Sequence, residues 1–225
     1  DLSYVFKFLP EILYALPLTL WILIVTIVSG SLLGALLAWG QLYGDEVIVS
    51  ISKGYVFVLR CTPPIVLLFM VFYGLPEFLE WWLGLDVNGW SRTVFVITAM
   101  TLLYAATISE VFKSAYLAVP NGQMEAGLSI GLTEFQTFQR ILLPQAFRFA
   151  LPNISNAILN LLKDTALAYT IGLADIMGAG NLLIGRNLGN YSLETYTAVA
   201  VVYWTLALLL ALGNQFLENA LETGR

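Results

Sequence analysis

Four ionisable side chains lie where the surrounding sequence is apolar. Glu110 closes an uncharged run that begins at Thr93, Lys163 and Asp164 divide a later apolar stretch, and Arg60 lies near the start of another. An ionisable group inside a bilayer costs about 2.5–3.5 kcal/mol on insertion scales, so it ordinarily faces a cavity or a partner. Two readings follow. In one, these groups line a path for a polar solute, with the hydroxyls of Thr62 and Thr165 adding hydrogen-bonding capacity. In the other, Lys163 and Asp164 bond within a bundle or across a subunit interface, and Arg60 snorkels to lipid phosphates. Adjacent residues on a helix point about 100° apart, so Lys163 and Asp164 are not expected to face one cavity squarely together.

A second constellation is the stretch "MEAGLSIGLTEFQTFQRILLP", Met124 to Pro144, which is half polar and flanked by longer apolar segments. Gly131 is a natural helix stop, because glycine takes the left-handed conformation at little cost. Thr133-Glu134-Phe135-Gln136 fits a capping box for a following helix. Asn121 is placed to cap a helix over 123–130, and Phe135, Phe138 and Leu142 recur at helical spacing. Pro144 marks an end or a kink. The expected product is a helix–turn–helix outside the bilayer, with Ala126, Gly127 and Ser129 small on its first helix. It is either an interfacial loop helix or a docking element for a groove on a partner protein.

The elements that must position these residues are membrane spans. Of 225 residues, 59% are hydrophobic and 11% charged, with a mean hydropathy of +0.80. A soluble domain usually carries about 25% charged residues, so the chain is an all-α polytopic membrane protein. Five transmembrane helices are expected, at about 12–40, 55–75, 93–112, 149–172 and 195–216, forming one domain. The half-polar loop at about 120–144 falls between spans 3 and 4. Trp81, Trp82 and Trp90 suit a membrane interface. Gly30 and Gly34 form a G-x-x-x-G, a signal for close helix contact. Pro63, Pro64 and Pro152 read either as static kinks or as hinges. The 175–194 stretch reads as a loop. With the amino terminus outside, Lys53, Arg60, Lys113, Arg140, Arg148 and Arg225 lie on the cytoplasmic side against Lys7, Arg92 and Arg186 outside. That bias favours an external amino terminus and a cytoplasmic carboxyl terminus.

Several functions are disfavoured. A single cysteine and no histidine leave the usual zinc and haem ligand sets unavailable. The net charge of −5 is spread out and gives no nucleic-acid signal. The chain has neither H-E-x-x-H nor G-x-S-x-G, so an intramembrane enzyme is not expected. There is no G-x-x-x-x-G-K-[ST] loop either, so no ATP or other cofactor is expected on this chain. The first apolar run is too long, and lacks the basic leader, for a cleavable signal peptide.

The loop resembles a known motif. Glu125-Ala126, then Gly131, then Ile141-x-Leu143-Pro144 is similar to the EAA loop of binding-protein-dependent ABC importer permeases, with Gly127 for the second alanine. "RCTPPIVLLFMVFYGLP" resembles the R-G-T-P segment of the polar-amino-acid branch, with Cys61 for glycine. "EVFKSAYLAVPNGQ" and "LLPQAFRFALPNISN" resemble the same branch on either side of the loop. "LLKDTALAYTIGLADI" resembles its K-D-T-S-L segment, with Ala166 for serine. The resemblance implies a type I importer fold in a prokaryotic inner membrane, with a cytoplasmic coupling helix in the loop. A second permease subunit, in a homodimer or heterodimer, would complete the path. An ABC ATPase dimer carrying ATP and Mg would dock on Glu125, Ala126, Gly127, Gly131, Ile141, Leu143 and Pro144. An extracytoplasmic binding protein would deliver the amino acid. Lys163 or Arg60 would then meet the carboxylate and Glu110 or Asp164 the ammonium. Glu110 and Asp164 are compatible with a cationic amino acid, and neutral polar amino acids and cystine fit as well. The competing reading is a self-sufficient secondary transporter or channel using the intramembrane charges.

Overall fold

The computed structural model describes residues 2–222, with side chains from Ser3 to Ala220. Arg225 and the last residues, which entered the charge bias, lie outside the described residues. The described chain is built of helices: α1 Leu2–Leu13, α2 Leu16–Tyr43, α3 Glu46–Cys61 and α4 Pro64–Leu83. They are followed by α5 Arg92–Leu117, α6 Gly122–Ser129, α7 Glu134–Ile171, α8 Ile176–Arg186 and α9 Ser192–Glu222. Four of these, α2, α4, α5 and α9, are long and apolar enough to cross a membrane. A fifth span arises if α7 and α8, bent by 43° at the break between them, are taken together.

The core forms where α2, α4, α5 and α7 meet. Ile22, Leu68, Met100, Ile108 and Leu162 are fully buried there. The most extensive helix contact is α2 against α5, and its cause is legible residue by residue. A Cβ on Gly30 would lie 2.7 Å from Tyr104 Cδ1, and one on Gly34 would collide with Ile108 Cγ2. The G-x-x-x-G pair therefore seats an intramolecular helix crossing. Ser29 Oγ and Thr101 Oγ1 add a 2.7 Å hydrogen bond across the same seam.

Three expectations need correction. The second span does not run over 55–75. The chain breaks at Thr62 and Pro63, both extended, and the membrane-length helix is Pro64–Leu83. The residue before a proline is pushed out of the α region, and two consecutive prolines extend the break. Pro144 neither ends nor interrupts the helix. A π turn at Phe138–Leu142 precedes it, and the wider turn accommodates the missing proline N–H within α7. Pro152 also lies inside α7, a position compatible with either a kink or a hinge. Asn121 makes no side-chain cap.

The glycine-rich stretch expected as a loop contains α8. Asp175 caps it by accepting from Gly178 N at 2.8 Å. Gly178 and Gly180 let it pack closely, the latter 2.7 Å from Val199 Cγ2 at the Cβ position. α1, also unforeseen, buries Val5, Phe8 and Ile12 against Ile176, Leu183, Ala198 and Val199 of α8 and α9.

Candidate functional site

The break after α3 opens a cavity of about 380 Å³ between α3, α5 and α7. Arg60 reaches it from the last turn of α3. Thr62 stands at the break, and its Oγ1 donates to the Val58 carbonyl at 2.8 Å. Lys163 and Asp164 both line the cavity from the end of the α-helical part of α7. The cavity wraps round that turn, so two adjacent side chains share it despite their angular separation. Lys163 Nζ donates to Asn160 Oδ1 at 3.2 Å, which orients the ammonium along the wall.

Two expected residues are elsewhere. Thr165 is fully buried beneath the turn, and its Oγ1 donates to the Leu162 carbonyl at 2.7 Å. It follows Lys163 by two residues, about 200° round the helix, and so faces the core. Glu110 lies one compartment away, in a second cavity of about 480 Å³ with Gln41, Lys53 and Lys113. Lys113 Nζ donates to both Glu110 oxygens, at 2.8 and 3.0 Å, and to Gln41 Oε1 at 2.8 Å. Arg60 lines both cavities. Asn160 and Lys113 were missed, although each stands three residues from a charge already singled out, the spacing that places helical side chains together. Gln41 gave no signal, being one uncharged residue near the end of a long apolar run.

The Met124–Pro144 stretch folds as a helical hairpin at one end of the bundle. α6 stops at Gly131, which has φ +87°, and Leu132 N donates to the Gly127 carbonyl at 3.2 Å. Thr133 and Gln136 make the reciprocal capping box, at 3.2 and 3.0 Å. Phe138 and Leu142 turn inward with Met124, Val119 and Ala146. Gly127 is buried against Thr137, where an added Cβ would lie 2.7 Å from Thr137 Oγ1 and closer still to Cγ2. Glu125, Ala126, Leu143 and Pro144 are exposed, Leu143 in an apolar groove between α2, α5 and α7. Ile130 and Phe135 are 75% and 71% exposed. Ile141 is half-buried.

A family described as the binding-protein-dependent transport system inner membrane component matches residues 30–223. The chain belongs to this family. The permease is 38% identical to the L-cystine transport system permease protein TcyL of Bacillus subtilis, over 93% of this chain and 86% of that protein. It is 29% identical to the glutamine transport system permease protein GlnP of Escherichia coli, over 99% and 98% of the two chains. Among solved structures it superposes on an amino acid ABC transporter crystallised with histidines at a TM-score of 0.84. That pair is 24% identical, with 98% of each chain covered. The MetNI methionine ABC transporter, in an inward-facing form, gives 0.73 at 20% identity over 94% and 96%. The permease therefore has the type I importer fold and is a multi-pass inner membrane component of an ABC transporter. Its α1 lies outside the matched residues, whereas both cavities and the hairpin lie within them.

Proposed function

We propose that the permease carries a polar amino acid across the membrane, driven by a separate ATPase that docks on the 124–144 hairpin. The observation that supports this best is the joint placement of Arg60, Lys163 and Asp164 on one cavity of about 380 Å³. That volume suits a small ligand, and pockets of this kind fix orientation with a few convergent polar groups. Lys163 or Arg60 receives the carboxylate and Asp164 the ammonium. The names of the relatives, which concern cystine and glutamine, agree with a zwitterionic substrate, and cystine remains the alternative substrate. The exposed Glu125, Ala126, Ile130 and Phe135 supply the docking face, since large apolar groups kept in water mark interaction sites. ATP and Mg belong to that partner. A second permease subunit, identical or homologous, completes the path, and a binding protein delivers the solute. The amino terminus is external and the hairpin cytoplasmic.

The test is uptake into proteoliposomes holding the full transporter, screened over the twenty amino acids and L-cystine. One or more should accumulate only with internal ATP. Lys163→Met should cut that uptake about tenfold or more, the expected loss for a hydrogen bond to a charged group, while the ATPase still co-purifies. Accumulation without ATP would favour a secondary transporter. Glu125→Lys combined with Ala126→Trp should release the ATPase.

A further inference from the structure

The cavity at Glu110 has a surplus of positive charge. Lys53, Arg60 and Lys113 stand on its wall against one carboxylate, and Lys113 already holds that carboxylate. Lys53 and Arg60 carry no ion pair among the described residues. Gln41 is buried, and while its Oε1 accepts from Lys113, its Nε2 makes no hydrogen bond of normal geometry among the described residues, although the Glu110 carboxylate is close to it. A buried donor left unpaired costs roughly 1–3 kcal/mol unless a ligand or water meets it. Lys53 and Arg60 lie on one face of α3, seven residues or roughly 10 Å apart. Lys53 is the nearer to the hairpin end, and Arg60 is shared with the Lys163 cavity.

We propose that this second cavity is a release-side binding site for the carboxylate of the transported amino acid. Arg60 is the group common to both compartments. It holds the carboxylate beside Lys163, and Lys53 with the Gln41 amide receives it next. Glu110 faces the ammonium once Lys113 gives way. The inference rests on the amino-acid reading above.

Cys61, the only cysteine in the sequence, is exposed and lines this cavity, so its modification reports occupancy. The complete transporter in nanodiscs, without nucleotide, is treated with a methanethiosulfonate reagent, and the Cys61 peptide is quantified by mass spectrometry. The probe is the amino acid best transported in the uptake screen, with acetate at equal ionic strength as a second arm. The amino acid should slow labelling in a saturable way and acetate should not. Lys53→Gln should raise the half-protecting concentration about tenfold, whereas Lys163→Met, in the other cavity, should keep protection despite lost uptake. Unprotected labelling in a transporter that still takes up the amino acid overturns the inference and leaves the transport function intact. So does protection lost in Lys163→Met but kept in Lys53→Gln. Equal protection by acetate reduces the site to a general anion patch and also overturns it. If no amino acid is taken up with ATP, the transport reading itself fails and this inference with it.

Discussion

At Gly127 one absent methyl sets how closely the two helices of the hairpin approach. Thr137 is fully buried opposite it, and among the described residues the Thr137 hydroxyl has no hydrogen-bond partner. Two effects compete when Gly127→Ala is made. Helix propensity favours alanine by about 1 kcal/mol, and overpacking costs about 1–3 kcal/mol. Because the clash is with a buried β-branched side chain, the second should win. Gly127→Ala should lower the melting temperature of the purified permease and weaken ATPase co-purification. Adding Thr137→Ala removes the two nearest atoms and sacrifices no hydrogen bond, so the double variant should recover both measures. Failure of the double variant to recover would show that Gly127 matters for another reason. From sequence alone Gly127 is a small residue that departs from the second alanine of the loop motif. Its real constraint was illegible because Thr137 is ten residues away and meets it only after the turn at Gly131 closes.

Among the elements, the seam between α2 and α5 is the part most sensitive to side-chain size. Gly34→Leu places several heavy atoms where Ile108 Cγ2 and the Ala105 carbonyl already stand. The expected cost is about 1–3 kcal/mol or more, read as a lower thermal midpoint of the permease in detergent. An unchanged midpoint would mean that the seam is more plastic than its packing indicates. The G-x-x-x-G at 30–34, the capping box and the break at Gly131 were legible because each depends on residues close together in the chain. The charge pair of Glu110 with Lys113 had the same local signature and was overlooked. By contrast, α8 was read as a loop because glycines disfavour isolated helices. Gly178 gives room to the capping turn at Leu173 and Asp175, and Gly180 lets Val199 of α9 approach, a contact that no local pattern reveals. Pro144 is no helix end, because the π turn before it accommodates a residue without an N–H, a widening that no local pattern shows.

For the whole molecule, orientation is the property to test. Trp81 and Trp82, both well exposed, and Asn88 belong to the end opposite the hairpin. Arg92 ties the same end together by donating to the Gly172 carbonyl at 2.9 Å. With Cys61→Ser as background, Asn88→Cys should react in intact cells with a membrane-impermeant thiol reagent, and Ser129→Cys only after lysis. The reverse pattern would invert the topology. Hydropathy and charge bias sufficed to propose five spans and an external amino terminus. The division of the polar residues between two cavities was beyond them, because it depends on where α3 breaks relative to α5 and α7.

The packing of α1 has a bearing on biosynthesis. Val5, Phe8 and Ile12 find their partners in α8 and α9, separated from them by most of the chain. A ribosome supplies those partners last. While the intervening spans are inserted, α1 has an apolar stripe and nothing to cover it, and an amphipathic helix in that state rests at the lipid–water boundary. The arrival of α8 and α9 gives that stripe its cover, so α1 completes its packing only after the last helices described have been made.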